Sequence, residues 1–194
     1  RDVTLEVVER LRARETAPDL WLCPALLKKD RFDLMLEKAT ELGAARIQPV
    51  LTRRCVADKL NLERARAITT EAAEQCARTA LPAIAEPVKL DALLAAWPEG
   101  RTLFFADENG GEPAAAAFAS HAGPAAILTG PEGGFEDAER AAIRAHPTAR
   151  PIAPSSEPSR PSPVRAPASP APHAPRAPSR RSPGRWLKAR PPPS

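Results

Sequence analysis

Hydrophobic residues recur along this chain at two spacings, and the two alternate. Phe32, Met35, Leu36, Ala39 and Leu42 fall three and four apart, the pattern of one helix face. Asp30 is placed to cap that helix, and Gly43 to stop it in the left-handed conformation. Arg46–Leu51 then reads as a strand, with Pro49 at an edge or an end because proline brings no N–H to a ladder. A second helix is predicted from an Asn61 cap to about Thr79, carrying Leu62, Ala65, Ile68, Ala72 and Cys76 on one face, with Pro82 beyond it. Short apolar stretches at Ile84–Ala85 and Val88 precede a helix from Asp91 to Trp97. The unbroken apolar runs Thr102–Ala106 and Ala125–Thr129 suit strands of a parallel sheet buried on both faces. Helices are predicted over Pro113–Ser120 and Glu136–Ala145, and Arg150–Ala153 opens one more strand. Strands alternating with helices predict an α/β domain with a mostly parallel sheet.

Both ends depart from this rhythm. Val3–Val7 alternates as a strand would, and Leu20-Trp21-Leu22 is a second short apolar piece. Residues 1–22 therefore read as the end of a domain whose beginning is absent, with the main domain at 23–153. Of the 24 prolines, 14 lie in residues 151–194, where only Ile152, Val164 and Leu187 remain as aliphatic anchors. So little apolar area does not offset the entropy of ordering, and 154–194 is predicted to be a disordered or polyproline-like Pro/Arg-rich tail.

Charge divides at the same place. The tail nets +7 and the whole chain +4, which leaves −3 for residues 1–150. A sequence pI near 9.3 would ordinarily suggest a nucleic-acid partner; here it is a property of the tail. No apolar run reaches the length of about 18 residues that reads as a membrane helix, and no signal-type stretch opens the chain. Cys23, Cys55 and Cys76 are odd in number and contain no CxxC pair, so they read as reduced thiols of a cytoplasmic protein. His121, His146 and His173 form no cluster with them, and no metal centre is expected.

The richest stretch is Leu128-Thr129-Gly130-Pro131-Glu132-Gly133-Gly134-Phe135, where a buried strand runs into a glycine turn that opens an acidic helix. In α/β sheets ligands bind outside the carboxyl ends of strands, and glycine lets backbone approach them closely. A phosphate loop is excluded by the lack of GxxxxGK[ST], and a dinucleotide fingerprint by spacing. Glu132 would repel phosphate but suits a cationic or neutral ligand. Most anonymous turns of this kind only reverse the chain, and that reading stays open. Upstream, Glu71, Gln75 and Arg78 fall at i, i+4 and i+7 and would share one helix face, while Arg54 follows the first strand. A solvated, ion-paired face is the commoner meaning of such a group. Alternatively, Arg54 and Arg78 hold phosphates or stabilise charge on a base.

Lys38-Ala39-Thr40-Glu41-Leu42-Gly43, the Arg54 position, Glu71-Ala72-Ala73-Glu74-Gln75-Cys76-Ala77-Arg78 and Gly130-Pro131-Glu132-Gly133-Gly134-Phe135 occur in this order. Together they resemble the RsmE-type ribosomal RNA methyltransferases of the SPOUT superfamily, over residues 25–150. The resemblance implies S-adenosylmethionine-dependent methylation of N3 of a uridine in 16S ribosomal RNA. It further implies a trefoil-knotted α/β domain, a homodimer with its site near the interface, and a PUA-like RNA-binding domain at the N-terminus. Leu128, Thr129, Gly130, Pro131, Glu132, Gly133 and Gly134 would hold the cofactor, and Arg54, Glu71, Gln75 and Arg78 would face the nucleotide.

One departure from the family stands out. Ile152-Ala153 arrives on schedule, but Pro154-Ser155-Ser156-Glu157-Pro158-Ser159-Arg160 replaces the family's Leu-Gly-x-x-Ile-Leu-Arg-x-Glu-Thr-Ala stretch, which forms the knot and the other wall of the cofactor pocket. The knot is therefore expected to be incomplete. A shifted reading frame and a genuine basic tail both account for the text after Ala153. Two functions follow: an S-adenosylmethionine-dependent enzyme, impaired in this copy, or a non-catalytic RNA-binding remnant using the basic tail.

Overall fold

A computed structural model describes residues 3, 4 and 6–153; the expected tail and knot segment lie outside the described residues. Five strands and two helices account for the first half of the fold: β1 (Leu20–Pro24), α1 (Lys29–Leu42), β2 (Arg46–Ile47), β3 (Val50–Leu51), α2 (Leu62–Gln75), β4 (Ala83–Ile84) and β5 (Val88–Lys89). The rest comprises α3 (Leu90–Ala95), β6 (Thr102–Ala106), β7 (Glu112–Pro113), α4 (Ala114–Ala119), β8 (Ala125–Thr129), α5 (Asp137–Ala145) and β9 (Ala149–Ala153). Seven strands form a sheet in the order β4-β2-β1-β8-β6-β9-β7, and β3 and β5 form a separate pair. Every strand pairing is parallel. The predicted α/β class with a parallel sheet is the observed one.

The period-two geometry of the strands sorts the apolar runs onto two faces. Leu103, Phe105, Ala126 and Leu128 point toward α3, α5 and the β3–β5 pair, joined there by Cys23 and Ile143. Phe104, Ala125 and Ile152 point the other way and pack on Ala117 of α4. Beside them, Phe32, Leu36 and Ala39 of α1 and Ala65 of α2 cover Ile47. Both faces are clothed by helices, which is why the central strands read as unbroken apolar runs.

Several expectations are corrected. The stretch Arg46–Leu51 is two strands in two sheets, broken at Gln48-Pro49, because Pro49 has no N–H with which to continue a ladder. The expected boundary at residue 22 cuts through β1, which pairs with β2 on one side and β8 on the other in the middle of the sheet. Val3, Thr4, Glu6 and Val7 form no strand, and Val3 and Val7 are exposed. Asp30 lies inside the first turn of α1 and does not cap it; Lys28 occupies the cap position without a side-chain bond. Asn61 does cap α2, accepting from the Arg64 N–H at 2.9 Å. The helix ends at Gln75, however, and Ala77 takes a positive φ of 56°. Arg78 therefore leaves the helical face that its spacing suggested.

Candidate functional site

The glycine loop leaves the carboxyl end of β8, between β1, whose next neighbour is β2, and β6, which leads toward β9. Strand order diverges at that point, the position at which open α/β sheets bind ligands. Ala25 donates its N–H to the Thr129 carbonyl at 2.8 Å, so β1 and β8 stay paired up to the loop. Beyond them the loop is shaped by sterics. A Cβ on Gly130 would stand 2.8 Å from the Phe135 ring, and Gly134 has a φ of +70° with Glu108 Oε1 2.8 Å from where its Cβ would be. Gly133 has no such requirement, since its Cβ would meet Arg54 at an ordinary 3.7 Å. Phe135 anchors the turn by packing edge-on to Phe105, with ring centroids 5.2 Å apart.

Arg54 reaches the loop directly. Its Nη1 donates to the Gly133 carbonyl at 2.8 Å, while the side chain stays exposed. The segment that carries it is fastened to the start of α5 by one carboxylate. Buried Glu139 accepts from the Arg53 N–H at 2.8 Å through Oε1 and from the Glu136 N–H at 3.1 Å through Oε2. Glu136 closes the reciprocal half of this capping box and lies 3.6 Å from Arg53 Nε. Glu139 thus ties the Arg53–Arg54 turn and the glycine loop to the same helix end. Sequence reasoning missed Glu139; the signal for it is the Glu136/Glu139 spacing, which marks a cap and carries no trace of the distant partner.

The neighbouring loop after β6 is held by charge. Asp107 is fully buried and pairs with Arg140 and with Arg144, whose Nη2 lies 2.6 Å from Asp107 Oδ2. Burial pushes the Asp107 carboxyl upward, but the Asn109 N–H and the Arg144 and Arg140 guanidiniums outweigh it and hold the group below its ordinary 3.8. Arg144 also donates to the Gly110 carbonyl at 3.1 Å, and Arg140 to Glu108 at 3.1 Å. The sequence placed Asp107 only as the end of an apolar run.

The other predicted site residues lie elsewhere. Glu71 and Gln75 are exposed on α2 and line a groove of about 520 Å³ against α1, beside Asp33, Glu37, Glu41 and Arg64. Arg78 lies on Gly43, where a Cβ would collide with its guanidinium, and donates to the Glu41 carbonyl at 3.3 Å. A cation at the C-terminus of α1 is favoured by the helix dipole. Arg78 also stands 3.7 Å from Glu15, and Thr79 Oγ1 accepts from the Glu15 N–H at 2.8 Å. Within one chain the structure brings Arg54 to the glycine loop and leaves Glu71, Gln75 and Arg78 apart from it.

Two concavities flank the loop. Ala106, Glu108, Gly130, Gly134, Phe135 and Arg140 line one of about 110 Å³, small beside the roughly 300–1,000 Å³ of typical small-molecule sites. The described residues therefore supply a wall there and not a full enclosure. On the other side, Leu27, Arg31, Leu34, Met35 and Lys38 of the β1–α1 segment face Gly130–Glu132 across a groove of about 460 Å³. Glu132 lies 3.9 Å from Arg31 and 3.5 Å from the Lys28 N–H. Lys38, drawn to Glu37 and Glu41, is raised to about 12 and stays charged. The buried Cys23 thiol is pushed up to about 12 by burial and is unreactive. Among the described residues no cluster could hold a metal ion, and no helix is long and apolar enough to cross a membrane.

A family model described as an RNA methyltransferase domain matches residues 14–153. The ribosomal RNA small subunit methyltransferase E of Rickettsia conorii is 29% identical over 141 residues, covering 71% of this chain and 57% of the relative. The protein of the same name from Synechocystis is 34% identical over 143 residues, covering 70% of this chain and 47% of the relative. The chain thus spans about half the length of the curated relatives it matches. A Legionella pneumophila protein solved in complex with the cofactor SAM superposes with a TM-score of 0.60 at 27% identity, over 71% of this chain and 58% of the other. With a domain match that runs from ahead of β1 to the end of β9, and with its RsmE-type motifs gathered around one parallel sheet, the chain belongs to the RNA methyltransferase domain family.

Proposed function

We propose that this chain serves S-adenosylmethionine-dependent methylation of N3 of a uridine in 16S ribosomal RNA, the reaction its RsmE-type motifs imply. The observation that carries the reading is the bond from Arg54 to the Gly133 carbonyl, which places a permanent cation on the loop at the divergence of the sheet. The chemistry of the loop fits the cofactor. Glu108 and Glu132 stand on its two sides, each beside an arginine, and carboxylates there suit the sulfonium and ammonium of the cofactor better than they suit a polyphosphate. Leu128–Gly134 would hold it, and when bound it supplies an electrophilic methyl group.

The chain's own residues then position and stabilise. N3 of uridine must lose its proton, and the charge left behind spreads onto the two flanking carbonyl oxygens. Arg54, fixed through Gly133 and the Glu139-held turn, is suited to stabilise that charge in the manner of an oxyanion hole. Glu71, Gln75 and Arg78 are assigned to the RNA side of the site. Their separation from the loop within one chain is bridged by a homodimer in which α2 of one copy serves the loop of the other. Exposed Leu34 and Leu42 on α1, 55% and 84% accessible, support such an interface.

The experiment is titration calorimetry with S-adenosylmethionine, followed by transfer of a labelled methyl group to small-subunit RNA. Saturable binding and label on N3 of a uridine are the expected results. A second reading, a non-catalytic RNA-binding remnant, is favoured by the 110 Å³ size of the pocket beside Gly130. That reading requires RNA affinity with no saturable cofactor binding, so the titration separates the two.

A further inference from the structure

A further concavity lies between the start of α1 and the segment leading into α2, apart from the α1–α2 groove and from the two that flank the glycine loop. Its volume is about 270 Å³. Half-buried Leu27, Ala57 and Leu60 give it an apolar lining over the buried Leu26, Phe32 and Ala65. The rim carries Lys29, Lys59 and Arg64 against a single carboxylate, Asp33. Arg64 and Lys29 share that carboxylate at 2.6 Å and 3.5 Å, and Lys59 makes no ion pair among the described residues. Lys29 also stands 3.8 Å from Asp30, so the positive charge left over at the rim is that of Lys59, above an apolar lining. Leu27 lines both this cavity and the groove beside Gly130–Glu132, so the two adjoin across one side chain.

We propose that this cavity receives an unpaired RNA base adjacent to the target uridine, with the attached phosphate held at Lys59 and Lys29. This rests on the methyltransferase reading for the identity of the RNA. Three features favour a nucleotide over other occupants. The volume lies just under the ~300 Å³ at which sites for whole small molecules begin, which is room for a base and not for a cofactor. Single-stranded bases are bound by stacking on aromatic rings or guanidinium planes in cationic grooves, and Arg64, about half exposed, brings such a plane to the rim. Because the cavity adjoins the Gly130–Glu132 groove at Leu27, one strand crossing that side chain would place one nucleotide at the loop and its neighbour in the cavity.

The test uses the full chain and short single-stranded RNAs around the target uridine, in which each neighbouring nucleotide in turn is replaced by an abasic one. For the unsubstituted chain, one position should lose about 10-fold in affinity when its base is removed. In Ala57→Trp, which fills the cavity from its edge, the same removal should cost less than about twofold, the coupling a double-mutant cycle isolates. Lys59→Ala, a change at an exposed position, should weaken all the RNAs alike and lower the salt slope by about one. If no position shows base dependence, or if Ala57→Trp keeps it in full, the proposal is overturned, and RNA affinity then comes from elsewhere on the chain. Cofactor titration of the same samples keeps the two readings apart. Base dependence without cofactor binding leaves the cavity standing and removes the enzyme, whereas cofactor binding and methyl transfer without base dependence removes only the cavity.

Discussion

Two loops leave neighbouring strands at the same edge of the sheet and are held by opposite means. The loop after β6 spends its polar groups on itself: Asp107 is buried against Arg140 and Arg144, and the Gly110 carbonyl is taken by Arg144. The loop after β8 is shaped by the absence of side chains, with Gly130 under the Phe135 ring and Gly134 at positive φ beside Glu108. Its ties to distant residues, Arg54 to the Gly133 carbonyl and Arg31 and the Lys28 N–H to Glu132, lie on the surface. Rigidity by charge consumes hydrogen-bonding capacity, whereas rigidity by shape leaves it for a ligand. The two loops adjoin, so the first can serve as a fixed wall for the second.

The largest effect should come from breaking the charged loop. Asp107→Ala leaves the largely buried Arg140 guanidinium and the exposed one of Arg144 without their buried carboxylate and should cost about 3 kcal/mol of unfolding free energy, read by chemical denaturation. The pH dependence has a definite sign. The folded-state value of Asp107 lies below 3.8, so its contribution is fully present above that value and is lost as pH falls through the depressed folded value. In acid titrations Asp107→Asn should show less of this loss than the unsubstituted chain; identical acid profiles would remove Asp107 from the account.

Next in size is Arg54→Ala. Loss of a charge-stabilising donor should lower methyl transfer by about 10²–10³-fold. Because the side chain is exposed, stability should change by no more than about 0.5 kcal/mol. A large stability loss would instead make Arg54 a structural strut. Gly130→Ala should follow at about 1–3 kcal/mol, since the added methyl meets the Phe135 ring, and Phe135→Leu in the same chain should recover part of it. The smallest effect belongs to Gly133→Ala. Its Cβ has ordinary room, so thermal unfolding should shift by no more than the equivalent of about 0.5 kcal/mol, and any loss of cofactor binding there would report contact with the ligand itself.

Much of this was legible along the chain. The apolar runs at Thr102–Ala106 and Ala125–Thr129 identified the buried parallel strands because a strand covered on both faces needs no polar positions. Asn61 and Gly43 marked helix ends because capping is local chemistry, decided within four residues. The glycine loop and Arg54 were named as site residues, and they are in contact. What failed was continuation. Arg78 at i+7 from Glu71 assumed a helix that stops at Gln75, and Arg46–Leu51 assumed a strand that Pro49 divides between two sheets. Residues 20–22 looked like the end of a separate domain because their partners, β2 and β8, lie far along the sequence.

The sequence by itself determined the class of fold and the family and singled out the glycine loop, since periodicity, caps and short motifs are set by near neighbours. Only the tertiary structure decided which charges meet. Glu139 reaching Arg53, Asp107 clasped by two arginines of α5, and Arg78 laid over Gly43 each join residues more than 30 positions apart. Such pairings depend on how the strands are ordered across the sheet, and the separation of two residues along the chain carries no record of that order.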